Sequence, residues 1–326
     1  MYVGSLRRND RALVEAAGFK FIGIPAGKWR RYFDLRNLID LVVGIFGLFS
    51  AFFVVLFFWP NKVFIKGGFV GLPVGIAAYI LRRPIVLHES DIVMGVANRM
   101  LAKLAQKVCV SFPLDGYNLP PAIKDKLVYT GVPISEIFFD SSNSKLELPL
   151  ANHLPLILIM GGSQGAHAIN KIVKTVLPQL VLEYEVVHLT GESDYSMMKN
   201  WADTNKIDSY HLLASLSNEQ VALVMDKAAL VISRAGATAL MEIAAKGKPA
   251  ILIPLPGSAS NHQYFNAKYL SDRVAAVLMN QISITPEGMI NMVHQVTKTN
   301  LGDELKKNVA NLSVRNAAHE IADMLS

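Results

Sequence analysis

Short apolar runs alternate with helical patterns along the whole chain. Leu156 to Met160 is five consecutive apolar residues, which predicts a strand buried on both faces, and the spacing Ile169, Ile172, Val173, Val176, Leu177, Leu180 predicts an amphipathic helix directly after it. The same strand-then-helix rhythm runs from the start to about Phe112: "FKFIGI" (Phe19 to Ile24), a long apolar helix, "KVFIKGG" (Lys62 to Gly68), a helix from Leu72 to Leu81, "PIVLHES" (Pro84 to Ser90), a helix from Val96 to Ala105, and "KVCVSF" (Lys107 to Phe112). "FKFIGI" and "KVFIKGG" read as strands of one sheet. A second series begins at Leu154 with "LPLILIMGG" and continues through "YEVVHLTG", "SYHLLA", "LVISRAGA" and "PAILIPLP". Such alternation predicts parallel sheets covered by helices, an α/β chain of two domains. Asp140 to Pro155 is polar and bounded by proline, as linkers are. The expected division is therefore a first domain over 1–139, a linker over 140–155, a second domain over 156–300, and an amphipathic C-terminal helix over 301–326 that packs back on the first domain.

One segment departs from the rhythm. Leu41 to Trp59 is nineteen residues without a charge, as a helix ~28 Å long and close to the thickness of a bilayer core. Its apolar residues go all round, which calls for burial between protein layers or contact with lipid. Arg30, Arg31 and Arg36 before it and Lys62 and Lys66 after it give no clear inside and outside, and spanning would separate two strands that look like neighbours. The expectation is a helix partly immersed in a membrane surface without crossing it.

Composition narrows the partners. A net charge of +6 favours anionic ligands, but the Lys and Arg residues are dispersed and no zinc spacing or aromatic RNA-binding signature is present, so nucleic acid is not expected. Lipid headgroups and phosphorylated sugars gain weight. The single cysteine, Cys109, excludes an intrachain disulfide and suits a reducing compartment, and "MYVGSLRRND" lacks the charged-then-apolar order of a signal peptide.

The candidate chemistry lies in turns after strands. In "LILIMGGSQGAHAIN" the strand runs through Gly161 and Gly162 into a helix start, where backbone amides and the helix dipole suit an anion at Ser163 and Gln164; a plain tight turn is the alternative. "GGFVG", "HESD" and "RAGA" fall at the ends of other strands, where ligands of α/β sheets bind. "LHESD" places His88, Glu89 and Asp91 at the end of a buried strand. No Asp-x-Asp pair is present to hold a metal on a diphosphate, so a site without metal or cofactor is the simpler reading.

Taken in order and spacing, "KGGFVGLP", "LHESDIVMGVANR", "GGSQGA", "SRAGATALMEIAAKGKPAILIPLP" and "NHQYFNA" resemble the MurG family, the N-acetylglucosaminyltransferases of peptidoglycan synthesis, over nearly the whole chain. The resemblance implies a GT-B fold, two Rossmann-like domains facing across a cleft. It implies transfer of N-acetylglucosamine from UDP-N-acetylglucosamine to undecaprenyl-diphospho-muramoyl-pentapeptide (lipid I) at the cytoplasmic face of the cell membrane, by a peripheral protein on an anionic surface. Donor contacts are implied at Asp91, Ser163, Gln164, the stretch Ala237, Thr238, Ala239, Leu240, Met241 and Glu242, and Gln263, with Glu242 accepting from the ribose hydroxyls. Acceptor contacts are implied at Gly67, Gly68 and Asn98, and His88 and Glu89 are the candidate catalytic groups. The resemblance also carries departures. "MYVGS" resembles the family's second strand, so the first domain reads as N-terminally truncated, without the first strand and its glycine-rich loop with a histidine. Ser135 stands where relatives usually place an arginine, and Leu213 to Leu216 align poorly with the uracil-contacting stretch. A 2-epimerase of the same fold and a non-catalytic sugar-nucleotide binder are the alternatives.

Overall fold

The computed structural model describes residues 1–6, 10–27, 36–142, 145–146, 148–150, 153–162 and 166–326, with backbone alone for 36–41. Contacts divide it into two units. Unit 1 comprises Met1–Ser90, Met94–Thr130 and His319–Ser326, and unit 2 comprises Asp91–Val93 and Gly131–Ala318. The division thus falls at Thr130, ahead of the polar linker. The reason is local: the segment after Thr130 is tied within unit 2, where Glu136 pairs with Arg315.

Unit 1 begins with β1 (Tyr2–Ser5), α1 (Asp10–Ala16) and β2 (Phe21–Ile24). The long apolar helix α2 (Arg36–Phe58) follows, then β3 (Val63–Ile65), α3 (Gly71–Ile80), β4 (Ile85–Glu89), α4 (Val96–Leu104), β5 (Lys107–Val110), α5 (Pro121–Lys124) and β6 (Leu127–Tyr129). All of its strand pairs are parallel, but they form two sheets, β1-β2 and β3-β4-β5-β6. The expectation that "FKFIGI" and "KVFIKGG" share one sheet is therefore corrected. The two strands share an apolar layer instead: Ile24 of β2, Val3 of β1 and Val63 of β3 all pack with Ala51 and Val55 of α2 and Val74 and Ala77 of α3. Similar sidedness makes them look like sheet neighbours in sequence, although no hydrogen-bonded ladder joins them among the described residues.

Helix α2 is apolar all round, yet it buries only one stripe. Gly47, Ala51 and Val55, four residues apart, face inward, and a Cβ on Gly47 would stand 2.2 Å from the Pro25 carbonyl oxygen, so the helix crosses that backbone only because the position is glycine. Val42, Ile45, Phe46, Phe49, Phe53 and Phe57 face outward, with Phe46 64% and Phe57 82% exposed. Among the described residues no helix is long and apolar enough to cross a membrane.

Unit 2 holds β7 (Leu156–Met160), α6 (His167–Leu180), β8 (Glu185–Leu189), α7 (Glu192–Asn205), β9 (Tyr210–Leu213), α8 (Asn218–Lys227), β10 (Ala228–Ser233), α9 (Ala237–Ala245), β11 (Ala250–Leu252), α10 (His262–Ser271), β12 (Val277–Leu278), α11 (Pro286–Lys298) and α12 (Leu301–Ala310). The sheet is continuous and parallel, in the order β12-β11-β10-β7-β8-β9. Ile157 and Ile159 of β7, Leu230 and Ile232 of β10, Ile169, Val173 and Val176 of α6 and Val293 of α11 form its main core. The predicted helix over Leu301 to Leu325 is broken into α12 and α13 (Ala317–Asp323). Most of α13 belongs to unit 1, where Ile321 is buried with Val86 and Cys109.

Candidate functional site

The sheet of unit 2 reverses its winding between β7 and β10, which stand side by side with Met160 opposite Ser233. An open parallel sheet leaves a crevice at such a switch point, beyond the carboxyl ends of its strands. Two glycine turns meet there. After β7, Gly162 takes φ +85, with nothing within 4 Å of where a Cβ would stand, so its backbone is open to a ligand. Ser163 and Gln164 lie outside the described residues. After β10, Gly236 leads into α9. Among the described residues neither α6 nor α9 has a side-chain cap, and uncapped first-turn N–H groups with the positive end of a helix dipole favour an anion.

Helix α9 sorts the candidate stretch by periodicity. Ala237, Leu240 and Met241 turn into the core, while Thr238 is exposed, Ala239 half-buried and Glu242 half-buried one turn beyond Thr238. Thr238 and Glu242 thus share a face. Burial pushes the Glu242 carboxyl up to about 7, because a desolvated carboxylate is costly without donors to hold it.

The loop after β11 brings in Gln263. Its Oε1 accepts from the Leu255 N–H at 2.9 Å, which fixes the carboxamide with its NH₂ end as the remaining donor. The turn before α10 is strained: Ser260 and Asn261 both sit in the left-handed region, at φ 54 and 56. His262 Nδ1 donates to the Ala259 carbonyl oxygen at 2.7 Å. Arg234 is buried and donates to the Ile253 carbonyl oxygen at 2.9 Å, with burial lowering its pKa.

Asp91 also belongs to unit 2. Its Oδ1 accepts from Asn266 Nδ2 at 2.8 Å, the same amide donates to the Ala235 carbonyl oxygen at 3.1 Å, and Asn266 Oδ1 accepts from the Ile92 N–H at 2.9 Å. Fully buried Asn266 therefore pins Asp91 beside the turn after β10. Sequence reading quoted its motif but did not single it out; its fixed place on α10, four residues after His262, was the available signal.

A second unforeseen group joins β8 and β9 to α6 and α7. Tyr210, His188, Asn170, Asp194 and His167 form a continuous hydrogen-bonded chain. Burial holds His188 down to about 3, hence neutral. Polar residues on the core face of a strand and a helix were the only trace of it in sequence.

In unit 1 the turn between β3 and α3 carries Gly67 at φ +96 and Gly68 at φ +86. A Cβ on Gly67 would stand 2.8 Å from Asn98 Nδ2, whereas Gly68 faces open space. Asn98 Nδ2 donates to Glu89 Oε2 at 2.9 Å and to the His88 carbonyl oxygen at 3.4 Å, and Glu89 Oε2 also accepts from the Gly95 N–H at 3.1 Å. The structure thus brings Gly67, Asn98, Glu89 and His88 together. His88 and Glu89 are buried, and the contacts of Glu89 hold the start of α4 under the glycine turn. Among the described residues no group of three or more His, Cys, Asp or Glu is placed to hold a metal ion.

Comparison with known proteins matches both halves. The glycosyltransferase family 28 N-terminal domain matches residues 1–110 and the family's C-terminal domain matches residues 156–323. The UDP-N-acetylglucosamine--N-acetylmuramyl-(pentapeptide) pyrophosphoryl-undecaprenol N-acetylglucosamine transferase of Treponema pallidum (strain Nichols) is 33% identical, over 100% of this chain and 86% of that protein. The enzyme of that name from Legionella pneumophila (strain Paris) is 33% identical over 99% of this chain and 87% of its own length. The crystal structure of Acinetobacter baumannii MurG superposes with a TM-score of 0.76 at 25% identity, covering 99% of this chain and 89% of that one. A UDP-GlcNAc 2-epimerase from Neisseria meningitidis bound to UDP-GlcNAc has a TM-score of 0.62 at 16% identity, over 91% of this chain and 83% of its own, a likeness of fold alone. With GT-B architecture, both family domains in order and full-length relatives at one third identity, the chain belongs to glycosyltransferase family 28, among the MurG transferases.

Proposed function

We propose that the chain transfers N-acetylglucosamine from UDP-N-acetylglucosamine to the muramoyl-pentapeptide of undecaprenyl diphosphate, with inversion at the anomeric carbon. The observation that carries this reading is the switch point of unit 2, where an open glycine turn, two uncapped helix starts and a desolvated carboxylate on α9 meet in a chain one third identical to such transferases. The diphosphate takes the helix starts. The ribose hydroxyls donate to Glu242, whose carboxylate lacks the solvation it needs and gains it from the ligand. The carboxamide of Gln263 donates to the sugar, and Asp91, pinned by Asn266, completes the donor side.

The acceptor diphosphate takes the backbone of Gly67 and Gly68, with Asn98 beneath. His88 and Glu89 position that turn. In the transfer, the acceptor hydroxyl oxygen forms the new bond to the anomeric carbon as the bond from that carbon to the β-phosphate oxygen breaks; the electron pair leaves with UDP and the hydroxyl proton passes to a base. Donors aimed at the departing diphosphate stabilise the charge that develops there.

The outward face of α2 supports attachment to the cytoplasmic surface of the cell membrane without spanning it. Five phenylalanines from Phe46 to Phe58 are exposed there, and Arg83 lies 4.3 Å from the Trp59 ring at the helix end, an arrangement suited to an interface where lipid chains meet anionic headgroups. The proposal is tested by incubating the full chain with labelled UDP-N-acetylglucosamine and the lipid-linked acceptor in vesicles. Label in the lipid fraction with a β linkage is expected; release of free sugar or epimerised nucleotide sugar instead would reassign the reaction.

A further inference from the structure

We propose that Asn98 reads a proton donor on the acceptor, the acetamido N–H that lies beside its diphosphate. The inference rests on the reading of the Gly67 and Gly68 turn as the acceptor site, and it names a second group of the same substrate. It starts from a carboxamide that can point only one way. Asn98 Nδ2 donates to Glu89 Oε2 at 2.9 Å and to the His88 carbonyl oxygen at 3.4 Å. A carbonyl oxygen can only accept, and Glu89 Oε2 already accepts from the Gly95 N–H at 3.1 Å, so the nitrogen of the amide belongs on that side. The oxygen is thereby turned to the glycines: a Cβ on Gly67 would stand 3.0 Å from Asn98 Oδ1.

That oxygen has nothing to accept from. Asn98 is 6% exposed, and among the described residues no donor reaches its Oδ1. A buried acceptor without a donor is costly, and in a native protein it calls for a partner from outside the chain. Only Gly67 covers it, and with φ at +96 and +86 the paired glycines can shift off the oxygen without a side chain to move. The diphosphate cannot be the missing partner, because its ionised oxygens only accept. The turn therefore presents two kinds of group, backbone N–H for an anion and, beneath Gly67, an oxygen that requires a proton donor. An N-acetylmuramyl diphosphate matches both. Its acetamido group is on the carbon next to the one that bears the diphosphate, whereas its hydroxyls lie further round the ring. With the diphosphate on Gly68, which faces open space, the acetamido N–H is the substituent that falls over Gly67 and Asn98.

An acceptor with an acetoxy group in place of the acetamido group keeps the shape and removes only that proton. Titration calorimetry of the full chain in detergent should compare N-acetylmuramoyl-pentapeptide diphosphate on a short prenyl chain with its acetoxy counterpart. The wild type should bind the ester roughly tenfold to a hundredfold more weakly, as loss of the donor to a buried acceptor does. In Asn98→Ala the two ligands should bind within about threefold of each other, since the partner that distinguishes them is gone. Gly67→Ala, whose Cβ displaces the carboxamide, should narrow the gap in the same way, and it decides the matter if Asn98→Ala does not fold. Equal binding of amide and ester by the wild type overturns the inference, and so does a gap of wild-type size in folded Asn98→Ala or, failing that, in Gly67→Ala. A wild type that binds neither ligand overturns the reading of the turn as the acceptor site.

Discussion

The two units solve the same architectural problem differently. Unit 2 closes its strands into one six-stranded parallel sheet and braces the segments at its strand ends with buried polar side chains, Asn266 against Asp91 and Asn170 with His188 and Asp194 at the start of α6. Unit 1 divides its strands between two sheets, keeps an apolar helix face exposed, and seats Gly67 of its glycine turn against Asn98, which Glu89 holds. The difference fits the two ligands. A soluble nucleotide sugar is recognised by a preorganised crevice, whereas a lipid-linked acceptor is met at a surface that does not need to enclose it.

If preorganisation is the mark of unit 2, breaking its buried chain should have the largest effect. Asn170→Leu leaves the Asp194 carboxylate and the His188 ring without their shared partner, and unit 2 should lose about 3 kcal/mol or more. Denaturant unfolding followed by hydrogen exchange should place the loss in β7, β8 and α6 while amides of β4 and β5 keep their protection. Uniform loss across both units would blur the contrast.

The exposed face of α2 makes the opposite prediction for unit 1. Replacing Phe46, Phe49 and Phe53 together by serine should reduce binding to anionic vesicles by about a hundredfold or more, since each ring withdrawn from lipid forfeits about 1 to 2 kcal/mol. The melting temperature should hardly change, because these side chains are not in the core. Flotation with vesicles measures the first and calorimetry the second.

A smaller effect separates the two glycines of unit 1. Gly67→Ala drives a Cβ onto the Asn98 amide in addition to its positive φ, and should cost about 2 kcal/mol. Gly68→Ala carries the φ penalty alone, about 1 kcal/mol. Thermal unfolding ranks the pair, and an equal cost would mean that Asn98 moves freely.

The mildest test is pH. Glu242 has a folded-state pKa of about 7 against an ordinary 4.5, so between those values the native state holds more proton than the unfolded state. Stability of the ligand-free protein should therefore fall as pH rises through that window, and Glu242→Gln should remove this component of the slope. Hydroxyls that donate to Glu242 need its carboxylate, so UDP-N-acetylglucosamine should bind more tightly at pH 8 than at pH 6.

Much of this arrangement was legible in sequence. The apolar runs marked β7, β8, β10 and β11 because buried parallel strands leave no alternation to misread, and the ordered motifs placed the glycine turns at strand ends. Strands of two or three residues such as β6 and β12 have no periodicity to detect. Pairing is not a local property, so the split between β2 and β3 could not be read from two strands that each show a buried face. The break between α12 and α13 escaped because amphipathic spacing continues across it. The site divides along the same line. Glycines and a glutamate on a helix announce themselves by type, but the contact of Gly67 with Asn98 spans thirty-one residues and the Asn170 chain joins two strands and two helices. Only folding brings those groups together.

The central claim is a division of labour, with nucleotide-sugar recognition residing in unit 2 independently of the acceptor turn in unit 1. Its most direct test is a calorimetric titration of UDP-N-acetylglucosamine into the full wild-type chain, Glu242→Ala and Gly67→Ala, each in the presence of a metal chelator. The account predicts one site in the wild type, a loss of about 1 to 3 kcal/mol in Glu242→Ala, and wild-type affinity in Gly67→Ala. Equal losses in both variants, or no binding by a folded wild type, would contradict it.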